Sequence, residues 1–185
     1  METLFPVHTL HTAPEGSKPL LRGLHEQVGF VPNLAASMAE SPTLLEGFGT
    51  LRRIAGSGTL SPLEREVVAL AVSFENGCDY CMAAHSTFAA MHGAPESLLD
   101  ALRRGEPADD PRLEALREFT GAIVAQRGPV ASARTRRLLD AGFTPAQLLE
   151  TLAVVGMTSL ANWAHHVTGA PVDEPFASRE WKRSA

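Results

Sequence analysis

Leu60 to His85 reads LSPLEREVVALAVSFENGCDYCMAAH, and this run decides the fold. It opens on Ser61-Pro62, a side-chain N-cap followed by a proline whose fixed φ suits the first helical position. Leu63, Val67, Leu70 and Phe74 then return at the spacing of one helical face. Asn76-Gly77 breaks that helix, and a second begins at Cys78. So short a break leaves two neighbouring helices packed against each other.

The pattern extends in both directions. Ser41-Pro42 and Thr144-Pro145 repeat the cap-and-proline signal. Periodicity predicts helices over Pro19–Val28, Asn33–Ala39, Thr43–Ile54, Leu63–Phe74, Asp79–Met91, Glu96–Arg103, Pro111–Ala125, Ser132–Ala141 and Ala146–Val167. Gly56-Ser57-Gly58, Gly93-Ala94-Pro95, Gly105-Glu106-Pro107 and Gly128-Pro129 separate them. Strand signals are nearly absent and no stretch resembles an interdomain linker. The expectation is an all-α helical bundle in a single domain over residues 19–172, with an N-terminal arm (1–18) and a C-terminal tail (173–185). A faint echo relates Ser61-Pro62 and Ala84-His85 to Thr144-Pro145 and Ala164-His165, at unequal intervals.

Composition narrows the function. A chain of 185 residues buries a core without staples. A net charge of -5 with no basic stripe argues against nucleic acid. The N-terminus lacks the basic start and apolar run of a signal peptide. Thr151 to Val172 contains no Asp, Glu, Lys or Arg, yet Asn162, His165 and His166 make it too polar for an isolated span, so a buried core helix is expected rather than a membrane segment. A cytoplasmic protein is the expectation.

Only two cysteines occur, Cys78 and Cys81, three positions apart. A secreted scaffold spreads its cysteines to staple distant loops, whereas a lone close pair points to redox or metal chemistry. On one helix Cys78 and Cys81 are i,i+3 neighbours, and Cys81 and His85 are i,i+4 neighbours, so all three share a face. Two such thiols can close a disulfide with an imidazole one turn away. Peroxide reduction asks for these groups: a thiolate attacks one oxygen, an acid protonates the departing alkoxide, and a second thiol condenses with the sulfenic acid. Glu66, close to the apolar stripe of its helix, is the candidate to orient His85. Glu64 and Arg65 are assigned to the outer face and Glu75 to a solvated helix end. Inert core cysteines, or zinc held by Cys78, Cys81, His85 and a carboxylate or remote histidine, are the competing readings; structural zinc usually draws on two separated ligand pairs. His165 and His166 read as packing or interface residues, Tyr80 and Trp163 as packing groups. His8, His11, His25 and His92 carry no spacing signal.

Glu66, eleven intervening residues, then Cys78-Asp79-Tyr80-Cys81 and His85 resembles the signature of AhpD-like alkyl hydroperoxidases of the carboxymuconolactone decarboxylase superfamily. Gly29-Phe30-Val31-Pro32-Asn33, and Ala141-Gly142-Phe143 before a long apolar helix with Asn162, resemble its peroxidase-related branch. The resemblance implies an all-α bundle, no cofactor, and a homo-oligomer, a trimer or hexamer. It implies Cys81 as peroxidatic thiol, Cys78 as resolving thiol, and His85 with Glu66 as relay. A helix N-terminus favours the opposite order, since Cys78 lies nearer to it. Tyr80 stands where the founding alkyl hydroperoxidase has a relay histidine, and a phenol titrating near pH 10 is a poor base near neutrality. The expected activity is reduction of hydrogen peroxide or organic hydroperoxides through a dithiol/disulfide cycle, with an external lipoyl or thioredoxin-like dithiol as reductant. The alternative in another class is a non-enzymatic redox-sensing or metal-binding oligomer using the same residues.

Overall fold

The computed structural model describes residues 4–126 and 131–183. Nine α-helices follow in order among them: α1 (Lys18–Val28), α2 (Asn33–Met38), α3 (Pro42–Gly56), α4 (Pro62–Asn76), α5 (Asp79–Met91), α6 (Glu96–Arg104), α7 (Pro111–Gln126), α8 (Ser132–Asp140) and α9 (Pro145–Thr168). A short 3₁₀ turn, Glu174–Arg179, ends the series. There are no strands among the described residues, so the fold is all-α as expected. The expected break at Gly128-Pro129 lies outside the described residues.

The three serine or threonine caps form as the sequence requires. Ser41 Oγ accepts from Leu44 N–H at 3.3 Å. Ser61 Oγ accepts from Glu64 N–H while Glu64 Oε2 accepts from Ser61 N–H, and Thr144 and Gln147 make the same reciprocal box. Each cap satisfies amide groups that the first turn leaves orphaned. At the other end of α4, Gly77 takes the left-handed conformation (φ 67°) that closes the helix and turns the chain into α5. Gly105 does the same after α6, and a side chain there would collide with the Phe74 ring.

Helix α4 is the centre of the bundle, packed by α5, α7 and α9. Its Val67, Val68, Leu70 and Val72 are fully buried, which explains why its apolar residues outrun a single stripe. Glu64 corrects the outward assignment: it is buried, and beyond capping it receives two hydrogen bonds from Arg112 of α7 at 2.8 and 3.0 Å. The Arg112 guanidinium lies 3.7 Å over the Phe143 ring and donates to Ala141 O, tying α4 and α7 to the turn before α9. The apolar interior forms two clusters. One joins α4, α6, α7, α8 and the first half of α9; the other joins α1, α2, α5 and the second half of α9, and contains both cysteines.

The N-terminal segment and Phe176 are built into this second cluster, while Trp181 belongs to the first. Ser17 Oγ donates to Ala39 O, and His8 Nε2 stands 2.8 Å from Glu40 Oε2. After α9, Asp173 accepts both the Asn33 N–H at the start of α2 and the Tyr80 hydroxyl of α5. Phe176 and Trp181 are buried, the indole N–H donating to Arg103 O. No single helix among the described residues is long and apolar enough to cross a membrane.

Candidate active site

Glu66 and His85 come together as expected. The Asn76-Gly77 break folds α5 back along α4, so residues nineteen apart meet: His85 Nδ1 lies 2.7 Å from Glu66 Oε2, the side chains 18% and 14% exposed. An ionised carboxylate only accepts, so Nδ1 carries the proton and Nε2 is left as the basic nitrogen. Glu75 takes no part; its carboxylate lies against Gly121 of α7.

Cys81, Glu66 and His85 all line one cavity of about 750 Å³ between α1, α3, α4, α5 and α9. Its wall is largely apolar, with Leu24, Leu45, Phe48 and Phe88 among the lining. Cys78 does not line it. It sits behind Cys81 as the N-cap of α5, its Sγ accepting the Cys81 N–H at 3.4 Å, and is fully buried. Both thiols are free.

The two sulfurs differ in acidity. Cys78 is lowered to about 5: a hydrogen bond from the Cys81 thiol is the largest cause, burial opposes it, and the His165 imidazole and the Cys81 amide add to it. Cys81 is held well above the ordinary thiol value by the bond it gives to Cys78, by burial and by the neighbouring negative sulfur, with the Asn162 amide pulling the other way. The helix-terminus argument therefore holds for acidity, while the thiol reaching the cavity is the one the resemblance names as peroxidatic.

His165 is the residue that sequence reasoning missed. Read as a packing or interface group, it instead stands beside Cys78, a ring nitrogen within 4.8 Å of the sulfur, with Nε2 3.2 Å from Ala170 O and 3.5 Å from Asp79 Oδ1. Burial pulls its pKa down, but Cys78 and Asp79 outweigh that and raise it. The Cys78 sulfur and the His165 ring therefore each favour the charged form of the other. The only sequence trace of it is the echo of Ala84-His85 in Ala164-His165. Tyr80 packs against the His165 ring (centroids 5.4 Å apart), and its hydroxyl donates to Asp173 at 2.5 Å. Burial, then Asp173, raises the phenol, so Tyr80 is a positioned donor and no base. Trp163, expected to pack, is 60% exposed.

The bundle is all-α, with a CxxC pair at the start of α5 and a Glu–His pair joining α4 to that same helix. Residues 42–122 match the carboxymuconolactone decarboxylase family. A peroxidase-related protein with an alkylhydroperoxidase AhpD core from Ralstonia eutropha JMP134 superposes with a TM-score of 0.84 at 24% identity, covering 94% of each chain. A peroxidase-related protein from Silicibacter sp. TM1040 gives 0.79 at 24% identity over 95% of this chain and 93% of that one. The debrominase Bmp8, in complex with 2,3,4-tribromopyrrole, gives 0.80 at 19% identity over 97% and 96%. No curated protein matches significantly in sequence. Over residues 42–122 the chain is similar to the carboxymuconolactone decarboxylase family, and its fold is AhpD-like.

Proposed function

We propose that the protein is a thiol-dependent peroxidase that reduces organic hydroperoxides through Cys81 and Cys78. The observation that carries this reading is the placement of Cys81 in an apolar cavity together with the Glu66–His85 pair, with a stabilised thiolate directly behind it. A cavity of about 750 Å³ with apolar walls suits a bulky organic group, and hydrogen peroxide alone needs neither the volume nor the walls.

The cycle balances with these groups alone. His85 Nε2 takes the Cys81 proton, and the sulfur attacks the outer oxygen of ROOH. The O–O bond breaks, RO⁻ recovers the proton from His85 to leave as ROH, and Cys81 is oxidised to sulfenic acid. The Cys78 thiolate then attacks the Cys81 sulfur, expelling hydroxide, which becomes water on protonation, and the S–S bond forms. An external dithiol reduces it. Its first thiolate attacks the cavity-facing Cys81 sulfur and expels Cys78, the low-pKa and therefore faster leaving group; its second thiol releases Cys81 and leaves as a disulfide. Glu66 keeps the His85 tautomer correct and offsets the imidazolium charge.

Mass spectrometry after one equivalent of cumene hydroperoxide tests the assignment. Cys78→Ser should accumulate a trappable sulfenic acid on Cys81, and Cys81→Ser should form none. Sulfenic acid on Cys78 in the Cys81→Ser protein would reverse the two roles. Turnover with lipoyl, thioredoxin-like and glutathione reductants in turn identifies the donor.

A further inference from the structure

Cys78 has a second set of neighbours that the peroxidase cycle leaves unused. Its Sγ, one ring nitrogen of His165 and one of His166 lie within 4.8 Å of one another. The sulfur comes from the N-cap of α5 and the imidazoles from the last turn of α9, so the cluster is made by packing and not by local spacing. His165 Nδ1 is buried and has no hydrogen-bond partner among the described residues. Leaving such an atom unsatisfied costs about 1–3 kcal/mol, and native interiors rarely do so without a use for it. Asp79 stands at the rim, Oδ1 3.5 Å from His165 Nε2 and half exposed. His166 is exposed, which gives the cluster an opening to solvent.

We infer that Cys78, His165 and His166 form a binding site for a thiophilic divalent cation of the zinc class, completed by Asp79 or water. One sulfur and two imidazole nitrogens are a donor set that such a cation prefers over magnesium or calcium. Zn–S and Zn–N bonds of about 2.3 and 2.0–2.1 Å place tetrahedral ligand atoms roughly 3.3–3.6 Å apart. Separations of at most 4.8 Å therefore close by no more than about 1.5 Å, and the exposed His166 side chain is free to rotate inward. Binding replaces protons on the ligand atoms by the cation, with no electron transferred. The site itself does not depend on the peroxidase reading, but its consequence does. A Cys78 sulfur held by metal cannot attack the Cys81 sulfenic acid, so the bound cation halts the cycle before the disulfide and spares Cys78 from oxidation.

The test is a zinc titration of the reduced full-length chain, stripped with a chelator and never exposed to peroxide, against a chromophoric competitor. The parent should take up one zinc per chain at micromolar or lower concentration. Cys78→Ser and His166→Ala should each weaken uptake by at least about the 10–100-fold that even indirect metal partners are worth. Cys81→Ser and His85→Gln should bind as the parent does. His166 is exposed, so its variant keeps the fold, which circular dichroism checks. No uptake by the parent overturns the site, and so does undiminished uptake by His166→Ala. Loss in Cys81→Ser or His85→Gln would shift the metal to the Cys78–Cys81–His85 face and overturn it equally. Peroxide-driven thiol loss, measured separately with chelator present, reports on the peroxidase reading alone, so either proposal can fail without the other.

Discussion

The thiolate at Cys78 can be taken apart contact by contact. A thiol at its ordinary value of about 8.5 is roughly 3% ionised at pH 7, whereas a value near 5 makes it about 99% ionised. The Cys81 thiol supplies the largest part of that change and His165 a smaller one. Cys81→Ala should therefore raise the Cys78 midpoint by about one to three pH units, and His165→Gln should raise it by less. Thiolate ultraviolet absorbance is the appropriate assay, because Cys78 is fully buried and an alkylation rate would report access instead of ionisation. With chelator present, the parent should gain one thiolate per chain centred near pH 5 and the second only in strong alkali. A parent showing no thiolate absorbance below pH 8 would refute the pairing. A larger shift in His165→Gln than in Cys81→Ala would refute the order of the two contacts.

The same pair leaves a mark on stability. From about pH 5 to 6.5 the unfolded chain carries a protonated thiol and an imidazolium, whereas the folded chain has already lost the thiol proton; stability rises with pH. Just above about 6.5 the unfolded imidazole has lost its proton while the raised His165 keeps its own, so the slope flattens until folded His165 titrates. Above about 8.5 the unfolded thiols ionise while folded Cys81 keeps its proton, and stability falls. Urea midpoints across pH for the parent minus those for His165→Gln isolate the contribution. A difference that shows no flattening above about pH 6.5 would mean that His165 is not raised in the folded chain.

Three further outcomes are expected. Glu66→Gln keeps the shape beside His85 but removes the charge, and should slow Cys81 oxidation in stopped flow by about 10²-fold, the lower range for acid–base groups, while Glu75→Gln stays at the parent rate; the opposite result moves the relay to Glu75. Tyr80→Phe removes a hydrogen bond to the Asp173 carboxylate and should cost about 1.5–3 kcal/mol in chemical denaturation without changing the oxidation rate, and a slowed rate at full stability would make Tyr80 part of the proton path. Leu149, Leu152, Trp163 and Val167 leave an apolar stripe on α9, 44–66% exposed, so light scattering should find a homo-oligomer, a trimer or hexamer, that Trp163→Glu dissociates; a monomeric parent at micromolar concentration would contradict this.

Much of the fold was legible because its signals are local. Ser61-Pro62 and Thr144-Pro145 cap helices by contacts within four residues, and Gly77 ends α4 through its own backbone. The Glu66–His85 contact was legible for a related reason: a tight break between two long helices makes them antiparallel neighbours, so spacing along each one fixes who faces whom. The residues misjudged are those whose partners lie far along the chain. Glu64 sits at a capping position that normally faces water, and only the approach of Arg112 from α7 buries it. His165 lies 87 residues beyond Cys78, and no periodicity states which way α9 lies across α5. Asp173 looked like part of a tail, yet it is the acceptor that anchors both Asn33 and Tyr80.

The two cysteines illustrate why accessibility and acidity need not coincide in one thiol. Had Cys81 been both open to the cavity and the stabilised anion, it would be a permanent nucleophile facing every ligand that entered. Here the lowered thiol is the one behind, and the cavity side carries the raised thiol beside the Glu66–His85 pair that the proposed cycle uses as its base. In the proposed cycle, resolution would need no further deprotonation of Cys78. Reduction in that cycle would follow the same asymmetry, since Cys81 lines the cavity and the better leaving group lies behind it. The difference depends on the N-cap position of Cys78, which brings the Cys81 amide and thiol to bear on one sulfur. Moving that cysteine by one residue would remove the cap contact, and with it the directionality of the exchange.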